Sequence, residues 1–346
     1  MKIKARKTKY LLALVALCLV GIVALGYYYF LTTFSTATDV QYVFLDDDDD
    51  LDSVCTKLSP FAAKHAMTGF RTLSRHSGYA KAVRSGRYAI QPEESTLAVL
   101  RKLRNGQQQA VMLTIPESRT TDRLAAILSH KLMLDSATLA EAFTDTLRYR
   151  QWGLGDYDTC SIVSLFVPNT YEIYWNIGID RFMERMKSEH DRFWQGERRD
   201  KARSLNMTEN EVCTLASIID EETANNDEKP MIAGMYLNRL KVGMPLQADP
   251  TVKYALKNFG LRRIYHDMLF YDSPYNTYRY EGLPPGPIKV ASIKGIDAVL
   301  NHVAHDYLYM CAKEDFSGTH NFAVSYQEHL KNAARYARAL NERGIK

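Results

Sequence analysis

Residues Tyr10 to Phe30 read YLLALVALCLVGIVALGYYYF, 21 residues without a charge. At about 1.5 Å per residue such a helix is about 30 Å long, the thickness of a bilayer's hydrocarbon core. Tyr27, Tyr28 and Tyr29 at its far end suit an interfacial aromatic belt, and Lys2, Lys4, Arg6, Lys7 and Lys9 precede it. The positive-inside rule then places residues 1–9 in the cytoplasm and everything after residue 30 outside it. A cleaved signal peptide is the competing reading, with Ala24-Leu25-Gly26 as a small-x-small site, but the apolar stretch exceeds the usual h-region. Cys18 follows Leu17 rather than a small residue, which argues against lipid attachment. The expectation is one transmembrane helix over 10–30, anchoring the chain in the cell (inner) membrane.

The anchor also explains the charge. The chain carries 44 Lys+Arg and 40 Asp+Glu, formally +4. The first 38 residues hold five basic side chains and no acid, leaving 39 against 40 for the rest. A body at −1 lacks the basic surface of a nucleic-acid binder. Five scattered cysteines form no C-x-x-C pair, and their pairing does not follow from spacing. Buried free thiols are the simpler reading.

Beyond a Thr/Ser linker (32–38) runs a strand–turn–helix rhythm. VQYVFL precedes the acidic run Asp46 to Asp50, then a helical pattern through Val54 and Leu58. GRYAI precedes a helix that Asn105-Gly106 ends. AVMLTI leads through Pro116-Glu117-Ser118 to DRLAAIL. Acidic and hydroxyl residues before each helix suit capping. The five aspartates lack the ligand alternation and central Gly of an EF-hand loop, so they read as a helix-capping turn. Units of this size beside an anchor suit a small ligand-binding or spacer module. Further on, Tyr171, Tyr174 and Trp175 read equally as a sugar-stacking wall or as core.

The segment that carries chemistry opens with Thr208-Glu209-Asn210-Glu211, a capping box, and continues VCTLASIIDEETANN. At about 100° per residue, Leu215, Ile218 and Ile219 fall within about 60° of Glu222, whereas Asp220 lies about 160° away. Glu222 is thus the acid on the apolar stripe, and Asp220 and Glu221 are expected to be solvated. Burial makes a carboxyl costly to ionise. Raising it from about 4.3 to near 6.5 takes about 3 kcal/mol and yields a general acid at neutral pH. A fraying helix end that turns Glu222 to water is the alternative. Pro230 opens a second helix that Gly243 ends. Gln247, Asp249 and Thr251 then crowd polar groups into an apolar stretch, and SPYNTYRYEGLPPGPI sets tyrosines, Asn276 and Thr277 beside a rigid Gly/Pro loop. Aromatics with amides and hydroxyls suit a neutral carbohydrate. The histidines His302, His305, His320 and His329 make no metal signature; no metal or cofactor is expected, and only His320 is a cleft candidate.

LASIIDEET, YLNRLKVGMPLQADPTVKYAL, YNTYRYEGLPPGPI and THNFAVSYQEH, in this order and spacing, resemble the endolytic murein transglycosylase (MltG-like, YceG-like) family. The resemblance covers nearly the whole chain. It implies an α+β fold: the single N-terminal helix, a LysM-like β/α module over 39–112, and a mixed α+β catalytic domain over 113–346. The family's acid-x-Glu-Thr pattern puts its catalytic residue at Glu222, which the helical face selects independently. The first acid, usually Glu, is Asp220 here, and the intervening residue, usually basic, is Glu221. The resemblance further implies that Asn238, Gln247, Asp249, Thr251, Tyr275, Asn276, Thr277, Tyr278 and His320 line a glycan cleft.

The implied reaction cleaves the β-1,4 bond between N-acetylmuramic acid and N-acetylglucosamine. Glu222 protonates the leaving oxygen, then takes the proton of the muramoyl C6 hydroxyl as that oxygen attacks C1, giving a 1,6-anhydro end. An internal nucleophile replaces the second carboxylate of an ordinary glycosidase. The implied partners are nascent peptidoglycan strands, the membrane, and peptidoglycan synthases near which the enzyme works. A muramidase using water with Asp220 or Asp249 as second carboxylate, and a non-catalytic glycan-binding scaffold, remain as alternatives. The single-acid reading expects Glu222→Gln to abolish cleavage and Asp220→Asn to keep most of it.

Overall fold

A computed structural model describes residues 2–261 and 263–344, with side chains from residue 6 onward. Of the basic cluster, the Lys2 and Lys4 side chains lie outside the described residues. The fold is mixed α+β and divides into two compact units.

The first unit spans Met1–Leu113 with Lys131–Met133 and Glu172–Ile177. It contains α1 (Lys2–Phe30), β1 (Gln41–Leu45), α2 (Leu51–Leu58), α3 (Lys64–His76), β2 (Gly86–Ile90), α4 (Thr96–Asn105) and most of β3 (Val111–Thr114). Strands β1 and β2 pair antiparallel, with Gln41 opposite Ile90 and Leu45 opposite Gly86. Helices α2, α3 and α4 cover the pair around Val43, Leu45, Val54, Phe70, Tyr88, Val99 and Leu103.

Local chemistry sets these boundaries. The Asp50 side chain accepts from Ser53 N to cap α2, while Lys57 reaches Asp46 at 2.7 Å and Asp49 at 2.5 Å. One lysine thus relieves the repulsion within the aspartate run, which is the capping turn expected. Ser95 caps α4, and Gly106 closes it in the left-handed region that glycine tolerates without a Cβ clash. Helix α3 had no counterpart in the sequence reading. The five cysteines are free, with Cys55 and Cys213 buried.

α1 is the one helix, among the described residues, long and apolar enough to cross a membrane. The expected Thr/Ser linker after it is not a linker. Phe34 is fully buried, and Thr33 and Ser35 form isolated bridges with Ser95 and Ala62. A buried aromatic in the middle of the segment outweighs its flexible-looking flanks. The end of α1 also docks: Tyr28 stacks on His65 with ring centroids 4.3 Å apart, and a Cβ at Gly69 would collide with the Tyr29 carbonyl.

The second unit spans Thr114–His130, Leu134–Tyr171 and Gly178–Lys346. Its helices are α5 (Thr121–Ser129), α6 (Ser136–Ala142), α7 (Thr146–Tyr149), α8 (Ile179–Trp194), α9 (Glu197–Ser204), α10 (Glu209–Glu222), α11 (Lys229–Lys241), α12 (Asp249–Ala255), α13 (Ile293–Leu300) and α14 (Tyr326–Glu342). The strands are β4 (Thr170–Ile173), of which Thr170 and Tyr171 belong to this unit, and the antiparallel pair β5 (Tyr309–Ala312) and β6 (His320–Ala323). Helix α10 is central: every residue from Val212 to Ile219 is buried. It packs against α11, α12 and α13 in a core that includes Leu215, Ile218, Ile232, Tyr236, Leu246, Ile288 and Ile296. The aromatic cluster around residue 171 splits. Tyr171 is buried with its hydroxyl on Val167 O, Tyr174 is exposed, and Trp175 packs edge-on against Phe44.

Candidate functional site

Helix α10 begins and ends as its sequence requires. Thr208 accepts from Glu211 N while the Glu211 side chain bonds Thr208 N, the reciprocal capping box. Its last turn carries Asp220, Glu221 and Glu222, acids at the helix end where the macrodipole is negative. Each meets a different environment.

Asp220 is a correction. Its side chain is 2% exposed, and it accepts from Lys229 Nζ, Ser292 Oγ and Ser292 N, each at 2.7 Å. Helical periodicity alone expects α10 to have one wet side. Because α10 is covered all round, the face opposite Glu222 looks onto the start of α13 rather than water. Asp220 therefore joins three elements. Glu221 is also drawn in from solvent, bonded by Arg119 Nη2 at 2.6 Å and lying 3.4 Å from Lys289 Nζ.

Glu222 has no cation within salt-bridge distance among the described residues. Its carboxyl accepts one hydrogen bond, from the Tyr236 hydroxyl at 2.8 Å. Burial pushes its pKa up to about 7, and the nearby Asp249 charge pushes the same way. The Tyr236 bond and the positive charges of Lys253 and Arg239 oppose the rise. A carboxyl poised there can give a proton and take one back at neutral pH.

The proposed cleft residues separate into two kinds. Gln247 and Asp249 are exposed, and Tyr275 and Tyr278 are partly so. Gln247 holds a φ of +50°, a left-handed conformation that costs an L-residue about 1–2 kcal/mol, and its side chain makes no internal hydrogen bond among the described residues. The Tyr278 hydroxyl donates to Asp249 at 2.6 Å, and Tyr275 packs on Tyr254 with centroids 4.7 Å apart. Thr251, Asn276 and Thr277, in contrast, are fully buried or nearly so. Thr277 Oγ1 accepts from Ala248 N at 3.0 Å and meets Thr251 Oγ1 at 2.9 Å, while Asn276 donates to Leu269 O and Tyr271 O. These three shape the loops that present the exposed residues, rather than face solvent themselves. Asn238 is likewise committed to carbonyls, those of His305 at 2.6 Å and Tyr307 at 3.1 Å. His320 bonds Glu228 through both its backbone N and its Nδ1.

Several contributors escaped the sequence reading. Arg239, 7% exposed, donates to Leu246 O and Leu308 O at 2.6 Å each, and burial lowers its pKa. It binds the turn before Gln247 to the strand region. Tyr236 and Lys229 lie seven residues apart, about 20° on a helix, and reach Glu222 and Asp220 respectively. A polar pair at that spacing on an apolar helix was the available signal. Beside the acids, a small pocket is lined by Arg119, Glu221, Lys253, Tyr254 and Phe259. A larger cavity of about 730 Å³ opens around Tyr157, His190, Arg199 and Glu209. It sits at the other end of α10, about 20 Å from Glu222 by helical rise.

The YceG-like family model matches residues 43–335. The chain belongs to the YceG-like family. Among relatives, a Bacillus subtilis protein named endolytic murein transglycosylase is 42% identical over 132 residues, 38% of this chain and 36% of that protein. A Streptococcus pneumoniae protein of the same name is 28% identical over 305 residues, 79% of this chain and 54% of that one. This YceG-like chain thus matches about a third to a half of the length of those relatives. A crystal structure of a YceG-like protein from Listeria monocytogenes superposes with a TM-score of 0.54 at 25% identity, covering 85% of this chain and 99% of that one.

Proposed function

We propose that this YceG-like protein is a membrane-anchored endolytic murein transglycosylase, with Glu222 as the single catalytic acid and base. The observation that carries the reading is the state of that carboxyl. Among the described residues it is held by one phenol and has no paired cation, and burial pushes its pKa up to about 7. The names of the Bacillus and Streptococcus relatives supply the substrate class.

Protonated Glu222 delivers its proton to the glycosidic oxygen between N-acetylmuramic acid and N-acetylglucosamine. The carboxylate so formed then accepts the proton of the muramoyl C6 hydroxyl as its oxygen bonds to C1. The proton count closes, and the product is a 1,6-anhydro end. Lys253 and Arg239 favour the carboxylate stage electrostatically, and Tyr236 does so by hydrogen bonding. Gln247, Asp249, Tyr275 and Tyr278 are the exposed groups read as contacting sugar.

The anchor reading runs with this. In this reading residues 1–9 are cytoplasmic and the residues after α1 lie outside, where nascent strands and their synthases are. The β1–α2–α3–β2 arrangement, two helices between antiparallel strands, supports a LysM-like module that binds glycan or spaces the site from the bilayer.

The bonds of Asp220 to Lys229 and Ser292 count against it as the water-activating carboxylate of a muramidase. Asp249 keeps that alternative alive, because it is exposed and close enough to raise Glu222. Mass spectrometry of digested sacculi decides: anhydro ends uphold the proposal, reducing ends replace it with hydrolysis, and no new ends leave a glycan-binding scaffold.

A further inference from the structure

One buried carboxylate stands at the junction of three elements near Glu222 without a role in the chemistry above. Glu228 immediately precedes α11, makes no side-chain capping bond to it, and is 8% exposed. Its Oε1 accepts the backbone N–H of His320 at 2.6 Å, and its Oε2 lies 2.9 Å from His320 Nδ1. The same Oε2 lies 3.4 Å from the hydroxyl of Thr223, the residue directly after Glu222. Glu228 therefore joins the end of the Glu222 helix to the first residue of β6.

The two contacts to His320 fix more than position. A carboxylate offers only lone pairs, so the imidazole nitrogen facing it must carry the proton. In the neutral ring the other nitrogen, Nε2, is then a bare acceptor. Nε2 makes no internal hydrogen bond among the described residues, and it is not among the buried atoms left without a partner, so it reaches solvent. The ring as a whole is only 17% exposed, which holds that acceptor in one direction.

We propose that Glu228 is a positioning residue that locks His320 in the Nδ1–H tautomer, presenting Nε2 as an acceptor for a glycan hydroxyl beside Glu222. The glycan part rests on the proposed function; the tautomer does not. Saccharide hydroxyls are donors that a neutral acceptor recognises without charge, in keeping with a body at −1. With the opposite tautomer, Nε2 would carry hydrogen and that acceptor would be lost.

The test uses the full-length protein in detergent micelles with ¹⁵N-labelled histidine. Long-range ¹⁵N–¹H correlation spectra are assigned to His320 by comparison with His320→Asn. The wild-type neutral ring is expected to be protonated at Nδ1; protonation at Nε2 overturns the proposal without any variant having to fold. Glu228→Gln, whose amide can donate to Nδ1, is expected to move the proton to Nε2. The same change should raise KM for glycan strands up to about tenfold, the upper scale of one hydrogen bond between neutral groups, with kcat changed less than about threefold. A shifted tautomer with an unchanged KM overturns the glycan contact, as does a loss confined to kcat. If Glu222→Gln still cleaves while the tautomer behaves as expected, the catalytic reading fails and the Glu228–His320 assignment stands.

Discussion

The two ends of α10 both gather acids, and they treat them oppositely. At the first turn, Glu211 completes the capping box and Glu209 meets Arg199 at 2.7 Å. Free amides and the positive dipole end welcome negative charge there. At the last turn the dipole is unfavourable, yet three consecutive acids stand. Two of them are neutralised, Asp220 by Lys229 and Glu221 by Arg119 and Lys289. Among the described residues, Glu222 receives a phenol alone. The difference teaches where to look for chemistry: an acid at a helix C-terminus without a cation has been kept at a cost in stability.

The largest effect that sharpens this contrast should come from Glu222→Gln. Loss of a general acid is expected to lower kcat by about 10²–10⁴-fold, measured as anhydro ends released per minute from sacculi. The same variant tests the cost. The folded-state pKa, about 7, lies above the ordinary 4.5, so protonation supports folding fully below pH 4.5. That support is lost as pH rises through 7, where the group ionises in place. Denaturation at pH 8.5 should therefore show the glutamine variant more stable by about 3 kcal/mol, with no gain at pH 4. A variant less stable at pH 8.5 would break the comparison.

Asp220→Asn comes next. Breaking a buried pair leaves Lys229 charged without its partner, costing about 3–5 kcal/mol in urea denaturation. Adding Lys229→Met should recover part of that loss. Cleavage per folded molecule should stay within about tenfold, because Asp220 bonds α11 and α13 rather than the reacting carboxyl. An unchanged unfolding midpoint would show Asp220 to be solvated after all.

Tyr236→Phe should act more gently. Its hydroxyl favours the ionised carboxyl, so its loss raises the Glu222 pKa and moves the alkaline limb of the pH–rate profile upward; a downward movement contradicts the assigned bond. Thr208→Ala, at the opposite end, should cost about 1 kcal/mol of stability and leave the pH profile where it was. A displaced profile there would mean that the two ends are coupled.

What the sequence disclosed follows a division between short and long range. The capping box, the helix ending at Glu222, the proline that opens α11 and the aspartate turn before α2 depend on neighbours within a few positions, and periodicity reads them. The elevated carboxyl was legible because its apolar stripe lies on its own helix. Asp220 was not, since Ser292 stands 72 positions away and no single-helix pattern shows a second element closing over the opposite face. The same holds for Thr251, Asn276 and Thr277. Their polarity reads as cleft lining, but the Thr251–Thr277 hydroxyl bond and the Asn276 bonds to Leu269 O and Tyr271 O turn them inward. Phe34 shows the inverse case, one buried ring that fastens a segment of threonines and serines.

That fastening bears on the membrane anchor proposed above. With Tyr28 stacked on His65, and Gly69 shaped to accept the Tyr29 carbonyl, α1 passes into its module without a swivel. A buoy on a slack line samples a hemisphere; a mast stepped into its keel keeps one altitude and one heading. In the anchored protein proposed above, the module's height above the lipid surface is a fixed dimension of the fold, and an insertion between Leu31 and Thr33 would change it from a ruler into a rope.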